Sequence, residues 1–139
     1  MDMTMQSMMV RLPINIKAKV TEKLKRELTN EFTANLKNVE YELEQIEFHG
    51  KRMLAEQAKQ DAQGLPALRE QIEAERAKRL EAKNELETKI AATEKLELGA
   101  EIMRGNMERV YELKVGDVLD EIIGAEILLE DGKVIAFRE

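Results

Sequence analysis

From Val10 to Val20 the chain alternates strictly. Val10, Leu12, Ile14, Ile16, Ala18 and Val20 fall on one side, and Arg11, Pro13, Asn15, Lys17 and Lys19 on the other. A period of two over that length predicts a strand with one buried face. Pro13 has no N–H to give a ladder, so it belongs at an edge or before pairing begins. The Met-rich residues ahead of the strand, 1–9, read as a flexible tail.

The period then changes. Thr21 has the side chain of a helix N-cap, and Glu22 suits the positive end of the helix dipole. Beyond it Leu24, Leu28, Phe32, Leu36, Val39, Leu43, Ile46, Met53 and Leu54 recur at steps of three and four with no proline between. That spacing lays one apolar stripe along a helix. About 40 residues at 1.5 Å each make a rod of about 60 Å. A second helical pattern runs from Pro66 to about Leu96 through Leu68, Ile72, Ala77, Leu80, Leu86 and Ile90.

Between them stands Asp61-Ala-Gln-Gly-Leu-Pro66. Gly64 suits a helix C-terminus and Pro66 the first turn of the next helix, which predicts an antiparallel hairpin over 21–96 with its tip near 62–66. One uninterrupted helix pairing with another chain is the competing arrangement, and Gly64 with Pro66 argues against it. A reversal centred on Gly64 sets Leu43 near Leu86, Val39 near Ile90 and Phe32 near Leu96 or Leu98. At the tip it sets Ala58 by Ile72 and Ala62 by Leu68.

After Gly99 the vocabulary returns to β type. Met107 to Val115 alternates loosely and stops at Gly116-Asp117, and Val118 to Gly124 suits a short helical turn. Ala125 to Glu130 and Lys133 to Arg138 flank Asp131-Gly132, the pair that supplies the positive φ angles of a type I′ hairpin. Two strands alone are marginal in water, and the Val10–Val20 strand needs a sheet to join. The expected fold is therefore α+β: a long antiparallel coiled-coil hairpin attached to a small antiparallel β module, 10–20 plus 97–139, built from both chain ends, the helices projecting from it.

Composition agrees. Charged residues are 36% of the chain and aromatics 4%, without Trp, which suits long solvated helices. With no Cys, a disulfide, a thiolate nucleophile and a Cys zinc site are all excluded. There is neither a secretory signal nor an apolar run long enough for a membrane span, so a cytoplasmic location is expected. The net charge of −6 sits mostly in residues 99–139, with five basic and ten acidic side chains.

Candidate chemistry is sparse. His49, the one histidine, lies mid-helix beside Gly50 and reads as a packed or solvated helix residue rather than a general base. Gly50 costs about 1 kcal/mol in a helix interior relative to Ala, so it marks a bend or a close helix contact. Asp117, Asp120, Glu121 and Glu126 are the densest carboxylates, but their spacing matches no calcium loop, and they read as turn residues on an acidic face. Tyr41 and Tyr111 are too distant to form a base-stacking platform. Arg76-Ala-Lys-Arg79 is locally basic, with Glu73, Glu75 and Glu81 beside it to neutralise it. No catalytic residue, metal ligand or cofactor site is expected.

The tail strings Leu98-Gly-Ala-Glu-Ile102, Lys114-Val-Gly-Asp117 and Ile127-Leu-Leu-Glu-Asp-Gly-Lys-Val-Ile135 follow an alternating strand and a long charged helical region. In that order the chain resembles the YlqD family of small bacterial proteins, over nearly its whole length past the Met-rich start. The resemblance implies no established activity and transfers no functional residue. Some relatives are encoded near ribosome-maturation and RNA-binding factors, which implies a translation-linked alternative.

The functional expectation is a non-enzymatic structural or interaction protein that binds a partner protein through the hairpin and the β module. The tip residues Gln63, Gly64, Leu65, Pro66 and Leu68 form the candidate docking surface. Copies could also associate through the helices or an edge strand. A ribosome- or RNA-associated maturation factor is a second reading and would need a basic face including Lys17 and Lys19, since the chain alone offers nucleic acid little. A third is an RNA-polymerase-channel effector resembling transcript-cleavage factors, with Asp61 and Glu70 near the tip.

Overall fold

The computed structural model describes residues 6–139, and the first five positions of the expected tail lie outside that range. The elements are β1 (Ser7–Lys19), α1 (Glu22–Gln60), a 3-10 turn (Ala62–Gly64), α2 (Leu65–Glu94), β2 (Glu101–Lys114), α3 (Leu119–Ile122), β3 (Glu126–Glu130) and β4 (Lys133–Arg138). The chain divides into two compact units. One comprises the residues up to Leu24 and from Leu96 onward, and the other is Lys25–Lys95.

The first unit is a four-stranded sheet of order β2-β1-β3-β4. β1 pairs antiparallel with β2 from Ser7↔Lys114 to Lys19↔Glu101. It starts three residues before the alternation suggests, so Ser7, Met8 and Met9 are strand and not tail. The expected all-antiparallel module is corrected in one respect: β1 and β3 run parallel, Asn15 to Ala18 against Glu126 to Leu129. The α3 crossover between β2 and β3 makes this orientation reachable, and both chain ends contribute strands as expected. Pro13 pairs on its β2 side only, because contact with β3 begins at Asn15, whose N–H donates to the Ala125 carbonyl at 3.0 Å. On that side β1 is still an edge where Pro13 lies.

β2 starts at Glu101, six residues before the alternation becomes visible at Met107. The cause is a bulge: Ile16 pairs with Gly105 but Lys17 with Met103, leaving Arg104 as the extra residue. An extra residue swaps the two faces, and a period-two pattern read across it breaks. Along the register, Val10, Leu12, Ile14 and Ile16 share their face with Tyr111, Arg109, Met107 and Gly105. Arg109 is the polar member of that set. Its Nη2 donates to the Ile122 carbonyl at 3.0 Å, and its guanidinium carbon lies 5.3 Å from the Tyr111 ring centroid. α3 is thereby tied to the sheet.

Where β1 ends, the Val20 N–H donates to the Ala100 carbonyl and the Gly99 N–H to the Val20 carbonyl, each at 2.8 Å. Gly99 has φ +87°, a left-handed conformation that glycine adopts without steric cost. Val20 is 2% exposed, and Leu12, Ala18, Leu24, Ala125 and Leu128 are also buried. Thr21 caps α1 as its type suggests: its Oγ accepts from the Leu24 N–H at 3.1 Å and donates to Asp131 Oδ1. Asp131 and Gly132 both have positive φ, 50° and 83°, as the hairpin turn requires. On the other face Lys17 Nζ lies 2.9 Å from Glu126 Oε1, with Arg138 Nε 3.9 Å from Oε2.

In the second unit α1 and α2 run antiparallel, and the reversal lies at Asp61, not Gly64. Asp61 is extended, φ −157° and ψ 97°, and its Oδ1 accepts from the Gln63 N–H at 3.1 Å. It ends α1 and caps the 3-10 turn together. Gly64 has φ −80° and is no left-handed cap. Its missing Cβ matters instead, because a Cβ there would sit 2.5 Å from Gln57 Nε2, which donates to the Asp61 carbonyl at 2.7 Å. The facing register moves by about two turns. Ile72 meets Gly50 rather than Ala58, Lys89 lies over the Phe32 ring, and Arg79 reaches Glu42 at 3.1 Å. At the far end Lys25 Nζ donates to the Glu94 carbonyl at 3.0 Å.

Two outcomes follow from this packing. Thr21→Ala should lower stability by about 1 kcal/mol, measured by urea denaturation at neutral pH. The hydrogen bond from Lys17, aided by its charge and by Arg138, holds the Glu126 carboxyl below the usual carboxylate range. Its stabilisation is then complete at neutral pH and disappears as the pH falls through and below that range. The loss of denaturant resistance between pH 7 and pH 3 should therefore be smaller in Glu126→Gln than in the wild type.

Candidate partner-docking groove

Leu68 and Ile72 lie one turn apart on α2, and Ile46, Gly50 and Met53 follow three- and four-residue steps on α1, so both sets face the seam between the helices. Gly50 is a close contact between the helices: an added Cβ would stand 3.2 Å from Ile72 Cγ2. Of the two roles a glycine here could have, it takes the close helix contact. Beside this waist a groove of about 300 Å³ opens, with Ile46, Gly50, Met53, Leu68 and Ile72 as its floor and Gln45, His49, Gln71 and Glu75 on its rim. Met53 is 49% exposed, so a flexible thioether is presented to solvent, a side chain that adapts to irregular apolar surfaces.

The rim is polar. His49 Nε2 lies 3.0 Å from Gln45 Oε1, a bond in which the ring donates, and its ring packs edge-on against Phe48 with centroids 5.4 Å apart. The Arg79 hydrogen bond, with Lys78 nearby, holds the Glu75 carboxyl below its ordinary range. A carboxylate so held is a weak proton acceptor. What the groove can do is receive an apolar side chain between amide and charged neighbours.

The five tip residues differ in exposure. Gln63 and Pro66 are exposed, Gly64 and Leu65 are half-buried, and Leu68 turns into the groove. Asp61 is engaged as a cap. Ile46, Met53 and Ile72 were legible only as core positions of a stripe, and Gly50 was the one signal pointing to their level. The basic run is neutralised as its neighbours suggest, and also from α1: Arg76 lies 3.3 Å from Glu47 and 3.6 Å from Glu73, and Arg79 engages Glu42 and Glu75. In the sheet unit Asp117 Oδ2 accepts from the Lys114 N–H at 2.7 Å, while Glu126 is tied to Lys17. The described residues contain no cluster of His, Cys, Asp and Glu arranged to hold a metal ion, and no helix long and apolar enough to cross a membrane.

A second apolar surface belongs to the sheet unit. Phe137, 77% exposed, and Val134 stand on β4 opposite Ile127 and Leu129, which share the face of Ile16 and Ala18.

The waist can be tested directly. Ala at position 50 gains about 1 kcal/mol of helix propensity but meets Ile72 at 3.2 Å, so Gly50→Ala should be close to neutral. Gly50→Leu should destabilise by about 1–3 kcal/mol through overpacking. Urea denaturation of both variants measures the difference.

Three comparisons bear on what this arrangement belongs to. No curated protein matches the chain. The crystal structure of a protein of unknown function from Synechococcus sp. WH 8102 is similar, with a TM-score of 0.83 and 26% sequence identity over 96% of this chain and 95% of that one. The family model described as YlqD protein matches residues 8–138. The order of strand, helical hairpin and β tail is thus shared well beyond local turn motifs, and the chain belongs to the YlqD family.

Proposed function

We propose that this chain is a non-enzymatic interaction protein of the cytoplasm, which binds a partner protein by seating an apolar side chain in the groove at Gly50 and Ile72. The carrying observation is that groove: aliphatic and thioether side chains bordered by amide, imidazole and carboxylate groups. Recognition of this kind uses an apolar anchor from a partner helix or loop. The sheet unit, with Phe137 and Val134 exposed, offers a second surface for the same partner. Leu68 is the tip residue that takes part, and the rest of the tip serves to reverse the chain.

The RNA-associated reading is less well supported. Lys17, one of the cations it depends on, is paired with Glu126, and Arg76 and Arg79 are paired with glutamates. Phosphate binding draws on clustered unpaired cations.

A photo-crosslinking residue at Met53, with the same residue at exposed Arg69 as control, tests the proposal in living cells. Position 53 should yield a discrete adduct with a different protein, position 69 should not, and Leu68→Glu should abolish the adduct. Equal adducts from both positions, or adducts with this chain alone, would refute the groove as a site for another protein.

A further inference from the structure

The face of α1 turned away from α2 carries a pattern that the groove does not use. Phe48 is 63% exposed and Tyr41, one heptad earlier, 62%. A trough around Phe48 is lined by Glu44, Glu47, Lys51 and Arg52. Glu47 is engaged by Arg76, whereas Glu44, Lys51 and Arg52 make no ion pair among the described residues. At 100° per residue, Tyr41, Glu44, Phe48, Arg52 and Ala55 form one stripe, opposite to Leu43, Ile46 and Gly50.

The stripe is self-complementary about Phe48. Four residues before it stands an acid, Glu44, and four residues after it a base, Arg52. Seven residues before it stands a bulky ring, Tyr41, and seven after it a small side chain, Ala55. We propose that this face docks the same face of a second copy, antiparallel about a two-fold axis through Phe48. In that register Phe48 meets its counterpart, each Glu44 meets the Arg52 of the other copy, and each Tyr41 ring lies over the other Ala55. Lys51 lies on the same side of the seam as the other copy's Glu44. A two-fold contact makes every favourable pair twice, and antiparallel helices pack in layers of this kind. The contact is bounded: one step further out, Lys37 faces Lys59, so it covers about four turns. That is a small interface, in the class of weak association. A different helical partner would need this same reversed charge order, which a second copy carries by symmetry.

The proposal is independent of the groove, whose floor lies on the other side of α1. Its test is charge reversal on the full-length chain, read by sedimentation up to about 1 mM protein. The wild type should show a concentration-dependent monomer–dimer equilibrium. Glu44→Arg alone, or Arg52→Glu alone, should weaken it by about tenfold or more, because each sets like charges opposite twice. An equimolar mixture of the two single variants should regain association, since the arginine introduced at position 44 of one chain then faces the glutamate introduced at position 52 of the other. The double variant should regain it in one chain. Far-UV circular dichroism checks that these exposed substitutions leave the helices intact. A wild type monomeric throughout, a dimer indifferent to both single changes, or a mixture that does not recover would each overturn it.

Discussion

Two main-chain hydrogen bonds at Val20, to Ala100 and from Gly99, join chain segments with the whole helical hairpin between them. They open the antiparallel ladder of β1 with β2, which runs on from Lys19↔Glu101 to Ser7↔Lys114. Closing so long a loop is entropically costly, though the cost grows only logarithmically with length. A folded helical insert lowers that cost by limiting where the loop can go. The junction is also where Val20 is most deeply buried and where Thr21 starts α1. Strand end, helix start and the closing of the sheet are one local event.

The helical unit obeys a different rule. Its long surfaces are laced with charge pairs, most of them exposed, and such pairs contribute little each. They set register more than stability, because a slip of one turn would separate Glu42 from Arg79 and Glu47 from Arg76. Leu28 and Thr93 are buried towards one end of the unit, Gly50 packs against Ile72 further along, and the groove opens beside that contact. The proposed binding groove thus exposes an apolar floor next to a close contact between the helices.

The two faces of α1 divide the work. The inner face holds α2 and forms one wall of the groove. The outer face keeps Tyr41 and Phe48 in solvent, one heptad apart. The reversed charges around Phe48 make a copy of the same chain the suitable occupant.

Much of this was legible from residue order alone. The alternation from Val10, the three- and four-residue steps from Leu24 and the Asp131-Gly132 turn each state their element, because side-chain direction in strands, helices and tight turns is a local property. The Thr21 cap was legible for the same reason, whereas Gly50 was left with two roles, a bend or a close helix contact. The parallel pairing of β1 with β3, the bulge at Arg104, the reversal at Asp61 and the groove at Gly50 were decided only in three dimensions. Each depends on which distant residue arrives opposite, and a shift of a few residues at the turn moves every facing pair along the hairpin. Periodicity records which side of an element is apolar, but not the register at which it meets its neighbour.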